Sequence, residues 1–101
     1  MSITVNVHGP IAHINLSGGI DYSTQEEIKE ANHKALSAEH VHEIHVNFAD
    51  VTFIDSSGIR ALLTLQREAD ERGIALVLLD CTALIRDIFE IGGFDSMFTI
   101  R

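Results

Sequence analysis

Hydrophobic and polar residues alternate with a period of two in three stretches of the chain. These stretches cover residues 3–7, 12–16 and 44–48. Alternation of this kind predicts strands that bury one face and expose the other. Turn residues at 8–10 separate the first two stretches, so these are expected to pair as a hairpin, and Gly18-Gly19 is expected to end the second strand.

Three other segments repeat their hydrophobic residues at helical spacing, which predicts amphipathic helices. The first covers residues 24–36 and follows Ser23 and Thr24, each of which has a Glu three positions later, as in a capping box. The second extends as far as Gly73, a residue suited to the position just after a helix. The third is short and is expected to begin after Thr82, which can act as its N-cap.

Further apolar runs complete the predicted order of elements. Residues 51–54 follow an expected loop at 49–50 and lead into the second helix, and residues 74–79 are continuously apolar, as in a strand covered on both faces. The last residues suggest a short edge strand. The order β-β-α-β-α-β-α-β predicts an α/β fold, with one domain over residues 1–101 and a mostly parallel sheet that starts with an antiparallel hairpin.

Charge and composition exclude several classes of function. Fifteen acidic and seven basic residues give a net charge of −8, which argues against nucleic acid and against anionic membrane surfaces as partners. Cys81 is the single cysteine, so no internal disulfide can form. No run is apolar enough to span a membrane, and the first residues lack the pattern of a signal peptide. We therefore expect a cytoplasmic protein.

The most informative segment is Asp55-Ser56-Ser57-Gly58, where an apolar strand leads directly into an amphipathic helix. Free backbone N–H groups at the start of a helix favour a negative group. A serine exposed there could carry a phosphate. The alternative is that Asp55 or a serine merely caps the helix.

Other residue groups give weaker signals. His40, His42 and His45 lie within six residues, but in a strand His45 would face away from the other two, which favours solvated histidines over a metal site. Ser56 is not within a nucleophile elbow, and Cys81 has the surroundings of a buried, unreactive thiol. We therefore expect no catalytic residues, no metal and no cofactor.

Three segments carry a resemblance to a known family. The run FIDSSGI at residues 53–59 resembles the signature of the STAS domain, as found in bacterial anti-sigma-factor antagonists. The runs LSGGID at 16–21 and FEIGGF at 89–94 are similar to that family's early and late segments. The order of elements is also that of the family along almost the whole chain.

The resemblance implies a regulatory binding protein rather than an enzyme. Its phosphoacceptor would be Ser56, and Asp21, Asp55, Ser57 and Gly58 would line the same partner-facing end. The implied partner is a serine kinase of the histidine-kinase-like ATPase fold that serves as an anti-sigma factor. It binds the unphosphorylated form and releases its sequestered target, and a PP2C-type phosphatase removes the phosphate.

Two departures from the family pattern affect these expectations. Gly19 stands where relatives often have Glu, and the chain ends at Arg101, where many relatives continue into a further helix. An apolar patch around Met97 and Phe98 would then be either a dimer surface or a trimmed edge, and a monomer or weak dimer is expected.

Three alternative functions stay open. The chain could regulate an output other than a sigma factor, such as biofilm or exopolysaccharide production. It could be a structural or ligand-binding STAS module of the kind attached to anion transporters. It could also be a small hydrolase that uses Ser56 as its nucleophile.

Overall fold

The computed structural model describes residues 1–101 and contains a five-stranded sheet with three α-helices. The strands are β1 (Ser2–His8), β2 (Ile11–Ile20), β3 (Glu43–Ile54), β4 (Ala75–Leu79) and β5 (Thr99–Ile100). The helices are α1 (Gln25–Ser37), α2 (Ser56–Glu71) and α3 (Ala83–Gly92), and two short 3-10 turns cover Tyr22–Thr24 and Asp95–Met97. The predicted α/β class and the order β-β-α-β-α-β-α-β are confirmed.

The strands lie side by side in the order of the sequence, β1-β2-β3-β4-β5. β1 is antiparallel to β2, and the remaining neighbours are parallel. Each of the three parallel crossovers leads to the adjacent strand, always in the same direction across the sheet. Because such connections are right-handed, all three helices lie on one face of the sheet. The burial of β3 alternates accordingly. The residues that face the helices are buried, namely Ile44, Val46 and Phe48, and those on the other face are half-buried, namely Glu43, His45 and Asn47.

One hydrophobic cluster of 26 buried residues fills the space between the sheet and the helices. Phe89 of α3 belongs to this cluster and packs edge-on against Phe48, with ring centroids 6.2 Å apart. It also packs against Phe98, at 5.7 Å. The expected exposed patch is therefore wrong for Phe98, which is 8% exposed because it faces Phe89, whereas Met97 is 51% exposed.

Two predicted boundaries in the sheet are wrong. β2 continues through Gly18-Gly19 to Ile20, and β3 continues through the expected loop at residues 49–50. The register between the strands shifts twice, between Asn15 and Ser17 and again between Gly18 and Gly19. Each shift accommodates one extra residue of β3 as a bulge, so pairing resumes and both strands end level.

The predicted start of α1 also differs from the structure. The capping box belongs to the preceding 3-10 turn, where the Asp21 side chain accepts from the Ser23 N–H and Thr24 Oγ1 accepts from the Asp21 N–H. Thr24 is buried and makes no side-chain cap bond to α1. The other predicted ends are confirmed, since Thr82 caps α3 and Gly73 follows α2 with φ of +69°.

Gly58 lies where α2 packs most closely on the strands, so a substitution there tests this contact. A Cβ at this position would lie 2.6 Å from Ile20 Cγ2 and 2.7 Å from Ile54 Cγ1. Ala normally stabilises a helix over Gly by about 1 kcal/mol. Here we expect Gly58→Ala to lower the free energy of unfolding by about 1–3 kcal/mol, because the added methyl overpacks the core.

Urea unfolding of the Gly58→Ala variant measures this effect. Thr64→Ala is the matched control, because Thr64 is exposed on the same helix and its truncation should change the free energy of unfolding by less than about 0.5 kcal/mol. A Gly58→Ala variant as stable as the parent chain would show that α2 does not press on the strands in this way.

Candidate functional site

The carboxyl ends of the neighbouring strands β2 and β3 lie side by side at one end of the sheet. Ile20 pairs with Ile54 in the register of the two strands. The N–H of Asp55 then donates to the carbonyl of Ile20, at 3.0 Å. The residues that follow the two strands, Asp21 and Asp55, therefore lie at the same end of the sheet.

Asp55 is the N-cap of α2. Its backbone is extended, with φ −102° and ψ −176°, and its Oδ1 accepts from the N–H groups of Ser57, at 2.9 Å, and Gly58, at 3.1 Å. Two of the unpaired N–H groups of the first turn are satisfied in this way. Asp55 therefore caps the helix, and neither serine side chain is needed for capping.

The two serines of the motif have different surroundings. Ser56 is the first residue of α2, is exposed, and its hydroxyl makes no hydrogen bond within the chain. Ser57 is half-buried, and its carbonyl accepts from Gln25 Nε2 at 3.0 Å, which ties the start of α2 to the start of α1. Of the two hydroxyls, that of Ser56 is the more accessible to a modifying enzyme.

Gly58 supports the site from below. It is buried, and its Cα faces the side chains of Ile20 and Ile54 so closely that no Cβ fits between them. The first turn of α2 therefore rests directly on the ends of both strands. Since those strands also carry Asp21 and Asp55, this contact fixes the position of Ser56 relative to the two carboxylates.

Asp21 holds the turn on the other side of the site. Its Oδ1 accepts from the backbone N–H and the hydroxyl of Ser23, so the carboxylate is fixed within the turn Tyr22–Thr24. Neither Asp21 nor Asp55 forms an ion pair, since the two ion pairs in the structure are Lys29–Glu26 and His45–Glu43. No basic side chain is therefore paired with either of these two carboxylates.

Two exposed aromatic side chains flank the motif. Tyr22 directly follows Asp21 and is 80% exposed, and Phe53 lies two residues before Asp55 and is 50% exposed. Phe53 pairs with Gly19, which has no side chain to cover it. Phe53 was expected within an apolar strand, and neither Phe53 nor Tyr22 was predicted as an exposed residue of the site. The available signal was the pairing of a large apolar side chain with a glycine, which appears only once the register is known.

The histidines form a different group from the one considered above. His40 lies in a turn with φ of +65°, and His42 precedes β3, so neither belongs to the strand that contains His45. Instead, the ring of His45 lies 5.4 Å from that of His13, which lies 5.7 Å from that of His8. Cross-strand pairing brings these three together, and spacing along the chain could not reveal it.

No group of three or more His, Cys, Asp or Glu side chains is arranged to hold a metal ion. Cys81 is a buried free thiol. Burial raises the pKa of the Cys81 thiol, Arg86 opposes this shift and Asp80 adds to it. Since the thiolate is the reactive form, the raised pKa fits the expected unreactive cysteine.

Comparisons with known proteins agree with this architecture. A family model described as the STAS domain matches residues 2–101, so the chain belongs to the STAS domain family. An anti-sigma-B factor antagonist of Staphylococcus epidermidis is 23% identical over 101 residues, which are 100% of this chain and 93% of that protein. None of the helices is both long enough and apolar enough to cross a membrane.

Two solved structures of one relative extend the likeness to three dimensions. The anti-sigma factor antagonist SpoIIAA in its unphosphorylated form matches with a TM-score of 0.76 and 25% identity, over 99% of this chain and 87% of that one. The Bacillus cell fate determinant SpoIIAA in the phosphorylated form matches with a TM-score of 0.74 and 25% identity, over 99% of this chain and 91% of that one. The resemblance to antagonists of anti-sigma factors is confirmed.

The capping role of Asp55 gives a prediction about stability. Asp55→Ala removes the acceptor of two backbone N–H groups and should lower the free energy of unfolding by about 1 kcal/mol. Asp55→Asn keeps an acceptor oxygen and is the matched control, with an expected loss of less than about 0.5 kcal/mol. Urea unfolding of both variants measures the difference, and equal losses would mean that the charge rather than the capping geometry stabilises this end.

Proposed function

We propose that this chain is a phosphorylation-gated regulatory binding protein, an antagonist of an anti-sigma factor, rather than an enzyme. In its unphosphorylated form it binds a partner protein and displaces what that partner holds. Phosphorylation of Ser56 blocks this binding. The cytoplasm, where such partners act, is the proposed location.

The observation that carries this proposal is the free, exposed hydroxyl of Ser56 at the first position of α2. Asp55 already caps the helix, so a phosphate on Ser56 need not replace any hydrogen bond of the folded chain. The group can therefore be added and removed without refolding the domain. This is the property that a reversible switch at a binding surface requires.

Charge explains how one phosphate would prevent binding. A phosphoserine adds about −1.5 to −2 charges at neutral pH. It would join Asp21 and Asp55 at an edge where neither carboxylate has an ion-pair partner. A partner surface that fits the neutral hydroxyl would then have to desolvate or repel a dianion, and like charges brought together at an interface cost several kcal/mol.

The proposed partner is a serine kinase of the histidine-kinase-like ATPase fold that doubles as the anti-sigma factor, and a PP2C-type phosphatase would reverse the modification. This choice rests on the STAS family and on the antagonists among its relatives. Asp21, Asp55, Ser56 and Ser57 are the proposed contacts, and Gly58, which the resemblance also placed at the partner-facing end, is buried beneath them. The output that the partner controls, whether a sigma factor or a programme such as biofilm formation, depends on the partner and not on this chain.

Mapping the modification in native cells tests the acceptor. We expect part of the purified protein to carry one phosphoryl group on the peptide that contains Ser56. Ser56→Ala should abolish this species, whereas Ser57→Ala, the matched control, should leave it in place because Ser57 is the less accessible neighbour. A chain that is unmodified under every growth condition would contradict the proposed switch and leave Ser56 without a regulatory role.

The exposed aromatic residues beside the motif give a prediction about affinity. Large aromatic side chains dominate binding energy when an interface buries them. Tyr22→Ala and Phe53→Ala should each weaken binding of the partner at least about tenfold, a loss typical of such anchor residues. Both changes remove surface that the free chain leaves exposed.

Ile91→Ala is the control for these variants, because Ile91 is 88% exposed on α3, away from the motif. Calorimetric titration with the partner should give the parent affinity for this variant. Equal affinities for all three variants would remove the two aromatic residues from the interface, even if Ser56 still controls binding.

A further inference from the structure

Arg60 lies one helical turn after Ser56 on α2, and both residues are exposed. Residues four positions apart lie on the same face of a helix. Helical side chains also lean toward the N-terminus, over the turn that precedes their own Cα. The guanidinium of Arg60 can therefore reach a group on the Ser56 hydroxyl, in the order of anion before cation that stabilises such pairs.

The charge of Arg60 is not used elsewhere in the chain. The two ion pairs of the structure involve Lys29 and His45, and Arg60 is in neither. Its side chain lines a cleft of about 450 Å³ between α1 and α2, together with Lys29 and His33. The cleft also contains Glu68, and Lys29 is paired with Glu26, so Arg60 is the permanently charged basic residue of this cleft that has no ion-pair partner.

A phosphate on Ser56 would otherwise have only unfavourable neighbours on the strand side. Asp21 and Asp55 follow β2 and β3 at that edge, and both are held in place by backbone N–H groups. A fixed pair of carboxylates raises the electrostatic cost of the dianion. A cation on the helix side compensates for that cost, and along α2 Arg60 is the first basic residue after Ser56.

We propose that Arg60 binds the phosphoryl group on Ser56 within the same chain and so stabilises the phosphorylated state. This inference rests on the proposed function, since it takes Ser56 as the acceptor. Arginine forms paired, charge-assisted hydrogen bonds with phosphate oxygens, which makes it well suited to this role. The modified chain then presents a phosphate already bound by its own helix.

The test installs phosphoserine at position 56 during synthesis of the full chain, so that no kinase is needed. A titration followed by ³¹P NMR reports the second ionisation of the phosphate, which has a pKa near 6 when unperturbed. A bound guanidinium favours the dianion and lowers this pKa. We expect the Arg60→Gln variant to titrate about 0.5 pH unit higher than the parent, as for the loss of an exposed charge partner.

Two further variants make the result specific. Arg67→Gln removes the same charge from an exposed site on α2, eleven residues beyond Ser56, and should titrate with the parent. Arg60→Lys keeps the charge without the planar fork and should fall between the parent and Arg60→Gln. The shift should also shrink in 1 M salt, where screening acts within about 3 Å. His33, Lys29 and Glu68 of the cleft are present in every variant and cancel in the comparison.

Equal titration of the parent and Arg60→Gln would overturn the inference, and so would equal shifts for Arg60→Gln and Arg67→Gln, which would show a net-charge effect. Either result can occur while Ser56 is phosphorylated in cells, so it leaves the proposed function standing. Conversely, an unmodified Ser56 in native cells would remove the switch without altering this titration. Thermal unfolding of each unphosphorylated variant checks that the fold is intact.

Discussion

The contact between the start of α2 and the ends of β2 and β3 determines the rest of the site. Gly58 lies against Ile20 and Ile54, which are paired neighbours in the sheet, and no larger residue fits there. This contact brings the first turn of the helix to the edge where both strands end. The positions of Ser56, Asp21 and Asp55 all follow from it.

The same arrangement separates the interactions that stabilise the domain from the proposed site of modification. Asp55 satisfies the N–H groups of Ser57 and Gly58, and the carbonyl of Ser57 ties α2 to α1 through Gln25. Ser56 takes part in none of these bonds. A chain built in this way can change the charge of one surface residue while its core and its helix cap stay as they are, so regulation need not reduce its stability.

The charges around Ser56 are divided between the two sides of the site. The carboxylates of Asp21 and Asp55 follow the strands, whereas Arg60, which has no ion-pair partner, lies one turn further along α2. A phosphate on Ser56 would lie between these two regions. Different residues can therefore repel the partner and bind the phosphate. Separate substitutions of the carboxylates and of Arg60 would distinguish the two effects.

Local patterns in the sequence were sufficient to predict most of this architecture. The features that depend on pairing between strands could not be predicted from them. The helix after Asp55 was predicted because its apolar period and its cap are local features. The continuity of β3 through residues 49–50 depends on two bulges against β2, and no local pattern indicates a bulge. The exposure of Phe53 was missed for the same reason, because it depends on the glycine opposite.

The most direct measurement is the affinity of the proposed partner kinase for two forms of this chain, one unmodified and one with phosphoserine installed at position 56. Calorimetry with an inactive kinase and no phosphatase keeps both forms unchanged during the measurement. We expect binding to be at least about 100-fold weaker for the phosphorylated form, as for like charges brought together at an interface. Equal affinities for the two forms would contradict the proposed switch.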